Sequence, residues 1–282
     1  MQRIHVVGSG PRTGTTLIAQ LMISSFDIDV HSNNENSNHE DRIGKVPPRN
    51  GDVFLSKSPK DIVVIEPIMK WVKNLHVIYI LRDPRDMIVS RHRSDPDNYF
   101  SNLGHYFNYR PFAESLKNHP RFIQIRYEDL VSNPDEVQDE IHKRLPFLKK
   151  LHKFSEFHKV AKPSTTAQVP LGSFRAVSGQ SIGNWKEHKP RILGQIMDHG
   201  SITDDLIAFG YEKDAHWEKE LEGVEPEHAP PRDSNFHKAS WVKNKQRTKY
   251  LRAARVWFYH LPITLKFLDF QYRLKHGKEQ SS

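Results

Sequence analysis

The sequence predicts an α/β fold, a three-layer sandwich with a central parallel sheet and a C-terminal helical extension. Short β-branched apolar segments alternate with segments of helical periodicity. The run "LHVIYILRD" is continuously apolar, as in strands buried on both faces. A loop of glycines and small hydroxyl residues joins the first strand to the first helix.

Taken in order, "RIHVVGSG" is a β-branched run closed by glycines, and "TTLIAQLMISSF" follows with helical spacing. "DVFLSKSP" reads as a second short strand, "DIVVIEPIMKWVK" as a helix in spite of Pro67, and "LHVIYILRD" as the buried strand. "PRDMIVSRHR" opens a helix with proline in its first turn, "RFIQIRYEDL" supplies a further strand, and Asn133 with Pro134 marks the start of helix "NPDEVQDEIHKRL". Beyond Leu151 the periodicity weakens, and Lys162 to Pro190 is rich in Ser, Thr, Gly and Pro, the composition of binding loops. The segment "EGVEPEHAPPRDSN" reads as a linker, and two helices separated at Pro262 end the chain. The expected organisation is a catalytic domain over 1–221, a linker over 222–236 and a basic, aromatic-rich helical tail over 237–282.

With 282 residues, 37% of them hydrophobic, the chain can bury one large core. It has no apolar run of about 18 residues, and "MQRIHVVGSG" lacks the regions of a signal peptide, so the expected location is cytoplasmic. The absence of cysteine excludes disulfides, thiol nucleophiles and thiolate metal sites. The net charge of +8 is concentrated at one end. Residues 237–282 hold eleven Lys and Arg against two Asp and Glu, whereas the rest holds 31 against 32. A neutral body argues against a nucleic-acid groove across the main domain, and no nucleic-acid partner is expected.

In "GSGPRTGTTLIAQL" several backbone N–H groups and a helix N-terminus converge, which makes a P-loop-like phosphate-binding loop. A magnesium-triphosphate loop needs lysine after its second glycine, but Gly14 is followed by Thr15 and Thr16. Arg12 supplies the positive charge instead, with Gly14, Thr13, Thr15 and Thr16 as the other donors. A second candidate anion site lies at the end of the buried strand, where Arg82 and Ser90 sit in "VIYILRDPRDMIVSRHR", with Ser90 expected on the second turn of the following helix.

"PRTGTT" resembles the 5'-phosphosulfate loop of the sulfotransferase superfamily, in particular its carbohydrate and tyrosylprotein branches. Arg82 and Ser90 resemble the family's 3'-phosphate motif, an Arg with a Ser eight residues later. The tyrosylprotein branch carries another Arg four residues after that Ser; here the position is Ser94, with Arg91 and Arg93 nearby. "IRYEDL" resembles the segment whose Tyr, here Tyr127, lies near the adenosine. "FRAVSGQSIGNWKEH" resembles the loop that closes over the nucleotide, with Ser178, Gly179 and Gln180 as candidates and Trp185 starting the next helix. The resemblance covers roughly residues 1 to 210. It implies transfer of a sulfuryl group from 3'-phosphoadenosine 5'-phosphosulfate (PAPS) to an acceptor hydroxyl on a carbohydrate, lipid, peptide or small alcohol, with adenosine 3',5'-bisphosphate (PAP) as product and no metal.

Charge that builds on the leaving oxygen calls for nearby cations, and Arg12 and Lys57 are the candidates. Lys57, in "LSKSPKD", matches the place where relatives carry a Lys, a small or acidic residue and Pro. A general base for the acceptor hydroxyl is expected in "VHSNNENSNHEDR", which offers Glu35, Glu40, Asp41, His31 and His39. Alignment on the tyrosylprotein-type segment favours Glu35. The tail interleaves aromatics such as Trp241, Tyr250, Trp257, Phe258, Phe267, Phe270 and Tyr272 with Lys and Arg. It suits either an interfacial helix on an acidic membrane or polyanion, or a cap packed on the catalytic domain. The competing readings of the chain are a P-loop kinase or nucleotidase, and a non-catalytic membrane- or nucleic-acid-binding protein on the same fold.

Overall fold

The computed structural model describes residues 2–31, 53–92, 95–161, 177–232, 239–259 and 261. Five parallel strands form the central sheet: β1 (Gln2–Gly8), β2 (Val30–His31), β3 (Val53–Lys57), β4 (Leu75–Leu81) and β7 (Phe122–Arg126), in the order β2-β3-β1-β4-β7. A separate antiparallel pair is made of β5 (Arg91–His92) and β6 (Asp95–Tyr99).

Strand alternation builds the layers. Ile78 and Ile80 of β4 point into one core with Ile4 and Val6, covered by α1 (Thr15–Ser25), α5 (Tyr127–Ser132) and α6 (Pro134–Arg144). Val77, Tyr79 and Leu81 point into the opposite core, covered by α2 (Ile62–Trp71), α4 (Leu103–Glu114) and the C-terminal helix α10 (Ala239–Tyr259). A sheet buried on both faces needs apolar residues at consecutive positions, which explains the unbroken run in β4. A third cluster, with Tyr106, Trp185, Ile192, Leu206 and Trp217, joins α3 (Pro84–Ile88) and α4 to α8 (Lys189–His199) and α9 (Thr203–Ala208). The remaining short helix, α7 (Phe157–Val160), packs beside α1.

Pro67 explains how the C-terminal helix is held. A proline inside α2 cannot donate to the carbonyl four residues back, that of Val63, and an orphaned buried carbonyl is costly. Gln246 Nε2 of α10 donates to the Val63 carbonyl. Lys249 Nζ lies 3.8 Å from Glu66, and Val242, Ala253 and Val256 are buried in the same core as α2. The two helices therefore run side by side in the same direction.

Several elements differ from the sequence expectation. The helix after Pro84 ends at Ile88, so Ser90 stands just beyond it. The Ser90 carbonyl accepts from the Phe100 amide at 3.1 Å, so pairing with the far end of the β5–β6 hairpin prevents continuation of the helix. Tyr127 opens α5 instead of closing a strand, in a first turn that carries Glu128 and Asp129. Helix α4 arises in a stretch without strong periodicity, whereas in α8 Ile192, Leu193 and Ile196 recur at helical spacing. Residues 224–232 follow α8 and β6: the Glu227 amide donates to the Pro190 carbonyl at 2.9 Å and the Arg232 amide to the Tyr99 carbonyl at 2.8 Å.

Candidate functional site

In an open parallel sheet the binding crevice lies beyond the carboxyl ends of the strands, where successive connections diverge to opposite sides. Here that point is β1, which pairs with β3 on one side and β4 on the other. Lys57 ends β3, the Ser9–Gly14 loop follows β1, Arg82 follows β4 and Tyr127 follows β7. Four strands thus deliver the sequence candidates to one edge.

Within the loop, Arg12 has φ 68°, the only non-glycine residue with positive φ among the described residues. Such a conformation costs on the order of 1 kcal/mol and persists only when its surroundings hold it. Those surroundings are the second candidate anion site. Arg12 Nε donates to Ser90 Oγ at 2.9 Å and its Nη2 to the Arg91 carbonyl at 3.2 Å, while Arg82 Nη1 donates to the Arg12 carbonyl at 2.8 Å. Two segments some 70 residues apart are therefore one hydrogen-bonded unit. Arg82 is only 7% exposed, and its Nε is buried without an acceptor among the described residues. A cationic donor left over in that position fits an anionic oxygen.

The other end of the loop has the same character. Gly14, at φ 94°, precedes α1, and a Cβ there would stand 2.4 Å from the Tyr127 ring. Glycine is required for both conformation and space. No acidic residue occupies the first turn of α1, and Lys57 Nζ donates to Thr16 Oγ1 at 2.7 Å. An ammonium at the positive end of a helix is unfavourable alone and becomes favourable with an anion between the two. The Thr13 hydroxyl is committed to the Gly10 carbonyl at 3.1 Å, so Thr13 shapes the loop; Thr15 is buried beside Gly8.

Behind β3, the buried His5 ring lies 2.8 Å from Ser56 Oγ and 3.2 Å from Asp61 Oδ2, which ties β1 to the residues on both sides of Lys57. Tyr127 fills the space between Gly14 and Arg82. Its ring lies 4.3 Å beneath the Arg82 guanidinium, and its hydroxyl meets Ser181 Oγ at 2.8 Å.

Ser181 was not among the sequence candidates. Its carbonyl accepts from Arg82 Nη2 at 3.0 Å, whereas Ser178, Gly179 and Gln180 lead into the turn that presents it, closed by the Ile182 amide on the Gly179 carbonyl at 2.9 Å. Asp86 was missed as well. Its carboxylate accepts from the Gly183 amide at 2.8 Å and the Trp185 amide at 3.0 Å, fastening the late loop to α3. Burial raises the Asp86 pKa above the ordinary carboxylate range, and the two amide bonds oppose that shift. The neighbouring Arg85 pairs with Asp83 at 2.7 Å and Glu212 at 2.6 Å and stacks on Trp185 at 4.2 Å. The local signal was the acid in "RDPRD", but its partners lie 97 and 99 residues away.

Replacing Asp86 with Ala leaves the buried Trp185 amide without an acceptor, at about 1–3 kcal/mol, and the partly buried Gly183 amide at about 1 kcal/mol. Urea denaturation of Asp86→Ala is expected to show a loss of about 2–4 kcal/mol. A loss under about 0.5 kcal/mol would mean that Asp86 does not hold the loop.

Of the base candidates, His31 is described, at the end of edge strand β2 in register with Leu55 of β3. Glu35, His39, Glu40 and Asp41 lie outside the described residues, as do Arg93, Ser94, Phe267, Phe270 and Tyr272. Among the described residues no group of three or more His, Asp or Glu has metal-holding geometry, and no helix is long and apolar enough to cross a membrane.

Residues 40–146 match the family model described as "Sulfotransferase family". That segment contains Lys57, Arg82, Ser90 and Tyr127; the Arg12 loop lies before it. No curated protein matches the chain. Similar solved structures include mouse sulfotransferase SULT7A1 complexed with PAP, at 14% identity and TM-score 0.44 over 66% of this chain and 78% of that one. The sulfotransferase domain from the curacin biosynthetic pathway aligns at 15% identity and TM-score 0.39, over 73% of this chain and 89% of that one. Retinol dehydratase in complex with androsterone and inactive cofactor PAP aligns at 14% identity and TM-score 0.37, over 80% and 83%. These likenesses carry no residue roles to this chain.

Proposed function

We propose that the chain is a sulfotransferase that moves the sulfuryl group of PAPS onto an acceptor hydroxyl. The observation that carries this reading is the union of the two anion sites, through Arg12 Nε on Ser90 Oγ at 2.9 Å and Arg82 Nη1 on the Arg12 carbonyl at 2.8 Å. A ligand with phosphates at two ends of one nucleoside needs two such sites within one crevice. The family match over Lys57, Arg82 and Ser90 supports the same reading.

In this reading the donor supplies an activated sulfuryl group on a nucleotide that leaves as PAP. Arg82 and Ser90 hold the 3'-phosphate, and Arg82 also fixes the Arg12 loop and the Ser181 loop against each other. Arg12, the amides of Gly14 to Thr16 and the N-terminus of α1 hold the 5' side. Lys57 lies beside Thr16, where negative charge grows as the bridging oxygen departs. Tyr127 and the Ser178–Ser181 turn border the adenosine. The acceptor oxygen forms its bond to sulfur in line with the leaving oxygen, and its proton passes to a base that we assign to Glu35.

Binding and transfer test this directly. PAP at about 100 times its Kd is expected to stabilise the chain by about 2.7 kcal/mol, a rise of about 5 °C in Tm. ATP with magnesium is expected to give none. A shift with ATP–magnesium alone would favour a kinase or nucleotidase. PAP binding without transfer of label from sulfur-labelled PAPS, across carbohydrate, lipid, peptide and small-alcohol acceptors, would favour a non-catalytic protein.

A further inference from the structure

Helix α10 is joined firmly to the body on one side and presents a second, differently composed face on the other. Val242, Ala253 and Val256 face the core, and Gln246 meets the carbonyl that Pro67 leaves over. On the outer side Lys243, Arg247, Tyr250, Leu251, Trp257 and Phe258 are exposed, at the three- and four-residue spacings that share one helix face. Leu251 is 73% and Trp257 45% exposed. The face is graded, basic toward its N-terminal end and aromatic toward its C-terminal end. The whole 21-residue helix holds six Lys and Arg and no acid. At the close of α2, which runs alongside, Trp71 is 41% exposed.

We propose that this face docks on an anionic lipid surface, with α10 lying in the plane of the headgroups. Two properties select that occupant. The charge is of one sign, so a second copy whose helix ran in the same direction would bring Lys and Arg against Lys and Arg, and an antiparallel copy would leave all that charge without an acid to meet it. Large apolar side chains share the face, and a polyphosphate strand offers a leucine and a tryptophan nothing to enter. A bilayer answers both, with anionic headgroups for the basic side chains and an acyl boundary for the apolar ones, and Trp and Tyr favour that boundary. Because the body of the chain carries almost no net charge, the attraction resides in this element. Because α10 is already packed on α2, little ordering opposes docking. The inference is independent of the donor chemistry.

The test is co-sedimentation of the full chain with phosphatidylcholine vesicles, with and without phosphatidylserine. The wild-type chain is expected to partition onto the phosphatidylserine vesicles about 10-fold or more better. Lys243→Glu with Arg247→Glu is expected to remove that preference, and Leu251→Glu with Trp257→Glu to lower binding to either vesicle about 10-fold or more. A Tm without nucleotide that stays within about 2 °C of the wild-type value in both double variants shows that they remain folded and keeps this test separate from the donor reading. Failure of the wild-type chain to sediment with phosphatidylserine vesicles overturns the proposal, as does wild-type sedimentation by Leu251→Glu, Trp257→Glu. A concentration-dependent dimer in sedimentation velocity that this last variant dissolves, without lipid binding, would assign the face to a second copy instead.

Discussion

Arg82→Ala is expected to weaken PAP binding by about 2–5 kcal/mol, roughly 30-fold to several-thousand-fold in Kd, measured by titration calorimetry. The size follows from how much converges on one side chain. Arg82 holds the Arg12 carbonyl at 2.8 Å and the Ser181 carbonyl at 3.0 Å, lies 4.3 Å from the Tyr127 ring, and has a buried Nε–H with no acceptor among the described residues. Truncation removes a cation from the pocket and also releases the strained Arg12 and the late loop from their shared anchor. Arg82→Lys restores the charge but not the planar fork that reaches two carbonyls at once, so it is expected to fall between Ala and the wild-type residue. Ser90→Ala, which removes the acceptor of Arg12 Nε and one neutral hydroxyl from the proposed 3'-phosphate site, is expected to cost about 1–1.5 kcal/mol. A Kd for Arg82→Ala within threefold of the wild-type value would remove Arg82 from the donor site.

Lys57→Ala is expected to separate catalysis from binding. In the proposed reaction the ammonium meets charge that appears only as the donor's bridging bond breaks, so its loss is expected to fall on kcat, by about 2.7–4 kcal/mol or 100- to 1000-fold. PAP affinity is expected to stay within about tenfold. Stability in the absence of nucleotide is expected to change by less than about 1 kcal/mol. The lost bond to Thr16 is offset by removal of a cation from the positive end of α1. Single-turnover kinetics with labelled PAPS checks the first expectation, calorimetry the second and urea denaturation the third. Unaltered turnover would dismiss Lys57 from the reaction.

The parts of the site legible in the sequence are those written in local patterns. Gly8, Gly10 and Gly14 between an apolar strand and a helix, and Arg82 at the end of a run apolar throughout, are signals contained within about fifteen residues. Both led to the same edge of the sheet. Ser90 is singled out by resemblance to the family's Arg and Ser motif, yet it stands beyond the helix on which the sequence places it, because a hairpin bond to Phe100 outweighs the helical preference of its neighbours. Asp86 and Ser181 escaped for a related reason: each matters through partners about a hundred residues away, and neither lies in a pattern that names those partners. Phe100, 5.9 Å from the Arg12 guanidinium, carried no signal beyond its apolar character.

By itself the sequence determined the alternation of strands and helices, the two-sided burial of β4, the strand, glycine loop and helix around Arg12 and the concentration of positive charge in the last segment. These depend on side-chain period, backbone freedom and charge count, which are properties of short stretches. Only the tertiary structure decided that Arg12 and Arg82 are one hydrogen-bonded unit, that Ser181 closes it, and that Gln246 meets the carbonyl orphaned by Pro67 so that α10 is joined to the body with its aromatic face outward. Each of these is a pairing of polar groups far apart in the chain. The need to satisfy a buried donor or acceptor can be read from one residue, but the identity of its partner emerges only when the chain is folded.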